Sequence, residues 1–148
     1  MASGIEAAPF SLQDAQFIIG AGTGSATDYT GSVSHVMFAP SDIEWLDNTS
    51  MADAMNGTRS WVMGLVAWSL AIEYPQDWVE ASSLSLYLAL HAGEKRDVLF
   101  LPKAAGGTHQ VRANVILAPG PIGGQAGVLQ TGIVVMMVNG RPTIEEIP

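Results

Sequence analysis

Three histidines, His35, His91 and His109, several serines and fourteen carboxylates are the raw material from which this chain would have to build an acid–base or hydrolytic site. Their spacing does not assemble one. His35 falls in a strand-like run, His91 closes a helix-like run, and His109 opens an alternating stretch through Val111, Ala113, Val115 and Leu117. No His-x-x-x-His, Asp-x-Asp or nucleophile-elbow pattern is present to bring base, ligand and nucleophile together. With no cysteine in the sequence, thiolate metal sites, disulfides and cysteine nucleophiles are excluded. The expectation is a protein that is not an enzyme, with no catalytic residue, metal ligand or cofactor.

Two further patterns invite a binding role and fail on context. The run Gly20-Ala-Gly-Thr-Gly24 has the glycines of a phosphate loop, but a turn-like and then strand-like stretch follows it where a helix is needed, and no Gly-Lys-Ser/Thr occurs. It reads as a flexible connector. Tryptophans Trp45, Trp61, Trp68 and Trp78 would suit a stacking platform only with basic or hydrogen-bonding neighbours. Trp68 alternates with core aliphatics and Trp78 leads into the helix-like run, so both read as core, whereas Trp45 and Trp61 flank a long loop.

The elements that would position these residues are mostly strands. Apolar–polar alternation is clearest in Val66, Trp68, Leu70, Ile72 and Tyr74 against Ala67, Ser69, Ala71 and Glu73. Strands are expected over 12–19, 32–38, 43–46, 61–74, 97–101, 108–117 and 128–138, separated by Gly-, Pro- and Asn-Gly-rich turns. After Pro75 the period changes. Leu84, Tyr87, Leu88 and His91 recur at helical spacing, Leu86 and Leu90 widen the stripe, and Gly93 stands where a helix ends. The helix starts either at Asp77, with Glu80 completing a capping box, or at Ser82 or Ser83. The fold class is therefore all-β, a sandwich or barrel, with one flanking α-helix in a single domain over 1–148.

Composition points to a surface covered by other protein. Charged residues make up 14% of the chain, against roughly 25% in ordinary soluble domains, while 48% are hydrophobic. Fourteen acidic and six scattered basic residues give a net charge of −8. That balance argues against a phosphate-binding surface. Neither a secretory signal nor an apolar run of about 20 residues long enough to span a bilayer is read, so no membrane association is expected.

Several segments, in order, carry a resemblance: Tyr74-x-Gln-Asp-Trp78, then Ser83-Leu-Ser-x-Tyr-Leu88 with Gly93-Glu94 behind it; the early strand of 26–40; the turn Ala118-Pro-Gly-Pro-Ile-Gly-Gly-Gln-Ala-Gly127; and a closing strand with its Gly-x-Pro exit over 134–142. Across residues 10–143 the chain resembles the tail tube (major tail) proteins of long-tailed bacteriophages.

The resemblance implies a structural virion protein whose hexameric rings stack, so that sheets of six copies join into one continuous β-tube conducting genomic DNA during ejection. It implies tape-measure, tail-terminator and distal-tail proteins as partners besides the chain itself, DNA passing transiently without specific binding, assembly in the host cytoplasm and residence in the virion tail. It casts 47–60 as a loop reaching the next ring, with Trp45, Met51, Met55, Arg59 and Trp61, and 1–11 and 142–148 as arms embracing neighbours. Strand alternation makes Asp14, Gln16, Ala67, Ser69, Ala71 and Glu73 lumen-facing candidates, a row of small polar residues forming a wettable wall. Trp78, Leu84, Tyr87 and Leu88 would pack helix on sheet. The alternatives are a monomeric all-β binding module and a tube or ring component of a contractile or secretion-type machine.

Overall fold

A computed structural model describes residues 15–20, 26–103 and 106–148. Two sheets pack face to face. One has five strands in the order β10-β8-β7-β1-β2, namely β1 (Gln16–Ile19), β2 (Thr27–Asp28), β7 (Lys95–Leu101), β8 (His109–Ile116) and β10 (Thr143–Glu146); the other has three, β3 (His35–Ser41), β6 (Ala67–Pro75) and β9 (Thr131–Met137), with β6 in the middle. All pairings are antiparallel. A third ladder joins only β4 (Trp45–Asp47) and β5 (Trp61–Met63). The expected all-β fold is what the chain adopts, as an open sandwich in which these sheets do not close into a barrel.

The core lies between the two sheets. Phe17 and Ile19 on β1, Val98 and Phe100 on β7 and Ala113 and Val115 on β8 meet Leu70, Ile72 and Tyr74 on β6 and Val134 and Met136 on β9. These are alternate residues of each strand, the arrangement that a period of two requires when one face is dry. The alternation read in 66–74 thus assigns the faces of β6 correctly, with Trp68 packed partly buried against the core.

A seven-residue helix, α2 (Leu84–Leu90), flanks the sandwich. Of the alternative starts, Ser83 is the cap: its Oγ accepts from the Leu86 N–H at 3.3 Å. Asp77 instead closes a turn, its Oδ1 accepting from the N–H groups of Val79 and Glu80. Leu84 and Leu88 enter the core and Tyr87 packs beside it, but Leu90 is exposed, so the apolar stripe is narrower than its sequence suggests. The helix ends as expected, with Gly93 at φ 87° just beyond the capping residue His91.

Four expectations need correction. The run 61–74 is two strands, β5 and β6, broken at 64–66 where the chain turns from a projecting hairpin into the sandwich. Residues 47–60 are not a plain loop, because a five-residue helix, α1 (Met51–Met55), caps that hairpin. The segment 142–148 contains β10, which pairs with β8 of the same chain. The last long strand starts at Thr131, and 128–130 belong to the preceding turn. Residues 1–11 and Asp14 lie outside the described residues.

Candidate functional site

Surfaces carrying exposed apolar side chains are distinctive features of the molecule, and one of them is the β4–α1–β5 arm. A two-stranded hairpin is marginal in water without a third strand or a packed face. Its register pairs Trp45 with Met63, Leu46 with Val62 and Asp47 with Trp61. Trp45 and Trp61 are therefore diagonal neighbours on one face, where they line an open apolar cleft. Met51 and Met55, one turn apart on α1, are among the most exposed large side chains in the molecule.

Polar bonds at the neck hold this apolar arm in shape. Asp47 accepts from the Thr49 N–H at 2.9 Å and from the Thr49 hydroxyl, and Arg59 Nη1 donates to its other oxygen at 2.9 Å. The Ser60 N–H donates to Thr49 Oγ1 and the Asn48 N–H to the Ser60 carbonyl. Ser50 caps α1 by accepting from the Asp53 N–H at 3.2 Å. The Thr49 hydroxyl and N–H, and then Arg59, hold the Asp47 carboxyl below its usual range.

The second surface is the outer face of the three-stranded sheet. Its centre is the row Ala67, Ser69, Ala71 and Glu73, all half-buried. Register places Met37 and Val135 on either side of Ala71, His35 and Ile133 beside Glu73, and Ala39 and Met137 beside Ser69. Met37, Ile133, Val135 and Met137 are exposed, so the face is largely apolar and not the small polar wall read from β6 alone. An antiparallel sheet with one solvated face normally alternates to polar there. Gln16 belongs to the other sheet, so the lumen candidates do not share one sheet face.

A third surface gathers around Gln76, immediately after β6. The Gln76 side chain holds the 118–130 turn, and Trp78, Val79, Ile122, Val128 and Leu129 are exposed about it. Trp78 is thus not a core residue. Its indole N–H donates to Gln76 Oε1 at 3.1 Å and its ring lies at the surface. Pro75 ended the strand in the sequence correctly, and the Asp77 N–H donates to Ser85 Oγ of α2 at 3.1 Å, but Trp78 is not among the residues that pack into the core with Leu84, Tyr87 and Leu88.

Several titratable groups tie neighbouring elements together. His91 Nδ1 lies 2.7 Å from Glu94 Oε2, while Arg96 donates to Glu94 Oε1 at 3.1 Å and to Tyr87 Oη at 3.1 Å, tying the end of α2 to β7. Hydrogen bonds from His91 and then Arg96 lower the Glu94 carboxyl. Glu145 on β10 accepts from Gln110 at 2.8 Å and Arg112 at 3.1 Å, and those bonds lower it in turn. Burial pushes the Tyr74 and Tyr29 phenols up. No helix among the described residues is long and apolar enough to cross a membrane.

The fold recurs in a known assembly. A chain of the sixfold-symmetrised cryo-EM structure of the anti-feeding prophage (AFP) baseplate superposes with a TM-score of 0.56 at 14% identity, over 96% of this chain and 97% of that one. The two folds correspond end to end. No family model and no curated protein matches the sequence.

Proposed function

We propose that the protein is a structural subunit of a phage-tail-like particle that polymerises as stacked hexameric rings into a tail tube conducting DNA. The observation that carries this reading is the end-to-end correspondence of fold with a chain of a sixfold-symmetrised baseplate. The uncovered apolar surfaces support it independently, because patches larger than a few hundred Å² are rare on monomers and mark association sites.

In that arrangement the three-stranded sheet is the wall. Its outer strands β3 and β9 have no strand beyond them among the described residues, apart from one bridge between Val115 and Val138. Pairing of these edges between neighbours would continue the sheet and remove edges that otherwise invite aggregation. The row Ala67, Ser69, Ala71 and Glu73 would face the lumen. It carries no cation and so offers passing DNA no counterion-release gain. The arm would reach the next ring, and tape-measure, terminator and distal-tail proteins would be its other partners. The role is mechanical, without catalysis or a cofactor, within the virion.

A ring component of a contractile or secretion-type machine is the second reading, favoured by the neighbour's being part of a baseplate. Negative-stain electron microscopy of purified protein over a concentration series tests both. Hollow filaments support the tube, single rings that never stack support the ring component, and monomers at every concentration, even with tail-tip proteins added, overturn both.

A further inference from the structure

Two exposed apolar surfaces sit at opposite ends of β6. Residues 64–66 lead into it from the arm, and Gln76 follows Pro75 at its far end; nine extended residues separate them, about 30 Å. We infer that these surfaces are the two halves of one head-to-tail contact between copies of this chain, the β4–α1–β5 arm of one copy seated on the Gln76 surface of the next. The inference rests on the reading of the protein as a self-assembling subunit and names the surface that receives the arm.

The receiving surface is built rather than incidental. Gln76 donates from Nε2 to the Gly123 carbonyl, accepts from the Gly123 N–H, and donates its own backbone N–H to the Gln130 carbonyl. These bonds draw the 118–130 turn against 76–79. Val79 at 92% exposure, Ile122 at 74% and Leu129 at 85% each stand within three residues of one of these bonded groups, as does the half-open Trp78. Such order imposed on apolar side chains in water has an ordering cost that a contact would offset.

Size and shape select a second copy as the occupant. Trp45, Trp61 and Met63 on one face of the hairpin, with Met51 and Met55, and the exposed side chains around Gln76 each present on the order of several hundred Å², approaching the about 800 Å² per partner of an interface of standard size. The arm projects, and its methionines, Met51 at 82% and Met55 at 83% exposure, adapt to irregular apolar surfaces. The Gln76 surface is a different patch at the other end of the molecule. Contact between unlike patches is heterologous, so each added copy leaves one arm and one receiving surface open for the next.

The absence of cysteine makes a direct test possible. Met55→Cys and Val79→Cys are single-thiol variants at exposed positions, and unchanged melting temperatures would verify their folds. Mixed and treated with a short bis-maleimide, they should give a heterodimer and stop there, while the double variant should give a ladder. Adding Leu129→Glu to the double variant should abolish the ladder without lowering the melting temperature. Arm-to-arm products from Met55→Cys alone that match the yield of the mixture, no product with Val79→Cys, or a ladder indifferent to Leu129→Glu would each overturn the inference. A ladder without rings in the microscope would sink the tube reading alone; tubes without the arm-to-Gln76 cross-link would sink only this contact.

Discussion

Gln76 grips Gly123 with both halves of its side-chain amide, Nε2 donating to the carbonyl at 3.0 Å while Oε1 accepts from the N–H at 3.0 Å. This is the exchange that two residues of an antiparallel ladder make, supplied here by a side chain. Gln76→Ala removes both bonds and the indole's partner on Trp78. Exposed bonds are worth about 0.5–1.5 kcal/mol net, so the global loss should be about 1–2 kcal/mol. Hydrogen exchange should locate the loosening in 118–130, and exchange unchanged there would show that the turn is held by other means.

Tyr74 is hemmed in by two glycines. A Cβ on Gly120 would overlap its hydroxyl, and one on Gly132 would come within 3.0 Å of Cζ. Because Tyr74 is buried on β6, its ring has little freedom to give way. Gly120→Ala should cost about 1–3 kcal/mol, the usual range for overpacking. In a Tyr74→Phe background the penalty should shrink, since the hydroxyl is gone. A denaturation double-mutant cycle with no coupling would place the strain elsewhere.

These two relationships show what the sequence did and did not disclose. The two faces of β6 and the end of α2 were legible because alternation and a terminal glycine are local signals. The hairpin break at 64–66 was not, because Leu65 and Val66 continue the apolar run and Gly64 alone marks it. The apolar character of the outer sheet face was hidden for a different reason. It belongs to cross-strand neighbours, Met37 and Val135 around Ala71, that no single strand reveals. Strand β10 went unread because its four residues, Thr143-Ile-Glu-Glu146, hold a single apolar side chain and carry no period.

Acid should loosen the arm at its neck. Hydrogen bonds from Thr49 and the nearby Arg59 put the folded pKa of Asp47 below its unfolded value. Its contribution is thus complete above an unfolded value of about 4 and is lost as pH falls through the folded pKa. Carbon-detected NMR titration should find Asp47 depressed and Thr49→Val moving it upward. Glu145 should behave alike, rising in Gln110→Leu. An Asp47 titration indifferent to Thr49→Val would remove the neck network as the cause.

Burial separates stability from assembly on a single strand pair. Leu70 is fully buried on β6 and Val135 is exposed on β9. Leu70→Ala should destabilise by about 2–5 kcal/mol through the cavity it leaves. Val135→Glu should stay within about 0.5 kcal/mol of the parent and leave association intact, because Val135 stands beside Ala71 on the face that lines the lumen in the proposed tube. Calorimetry and sedimentation velocity report the two effects separately. Assembly lost in Val135→Glu would mean that this face is buried between copies and does not line a channel.

Ser69 tests which side of the wall meets DNA. It lies between Ala39 and Met137 on the outer face of the three-stranded sheet, in a row without cations. If that row lines a channel, Ser69→Lys adds one inward-facing charge per subunit, and closely spaced charges along a channel turn an indifferent wall into one that holds phosphates. Each phosphate neutralised adds about 0.7–0.9 to the slope of log affinity against log salt. Assembled Ser69→Lys protein should therefore retain short duplex DNA at low salt and release it steeply as salt rises, while assembled parent protein retains none. Thr58→Lys, on the arm, adds the same charge away from the row and serves as the control. Equal retention by both variants would mean that DNA meets the outside of the particle, and the row along β6 would then be a contact between subunits.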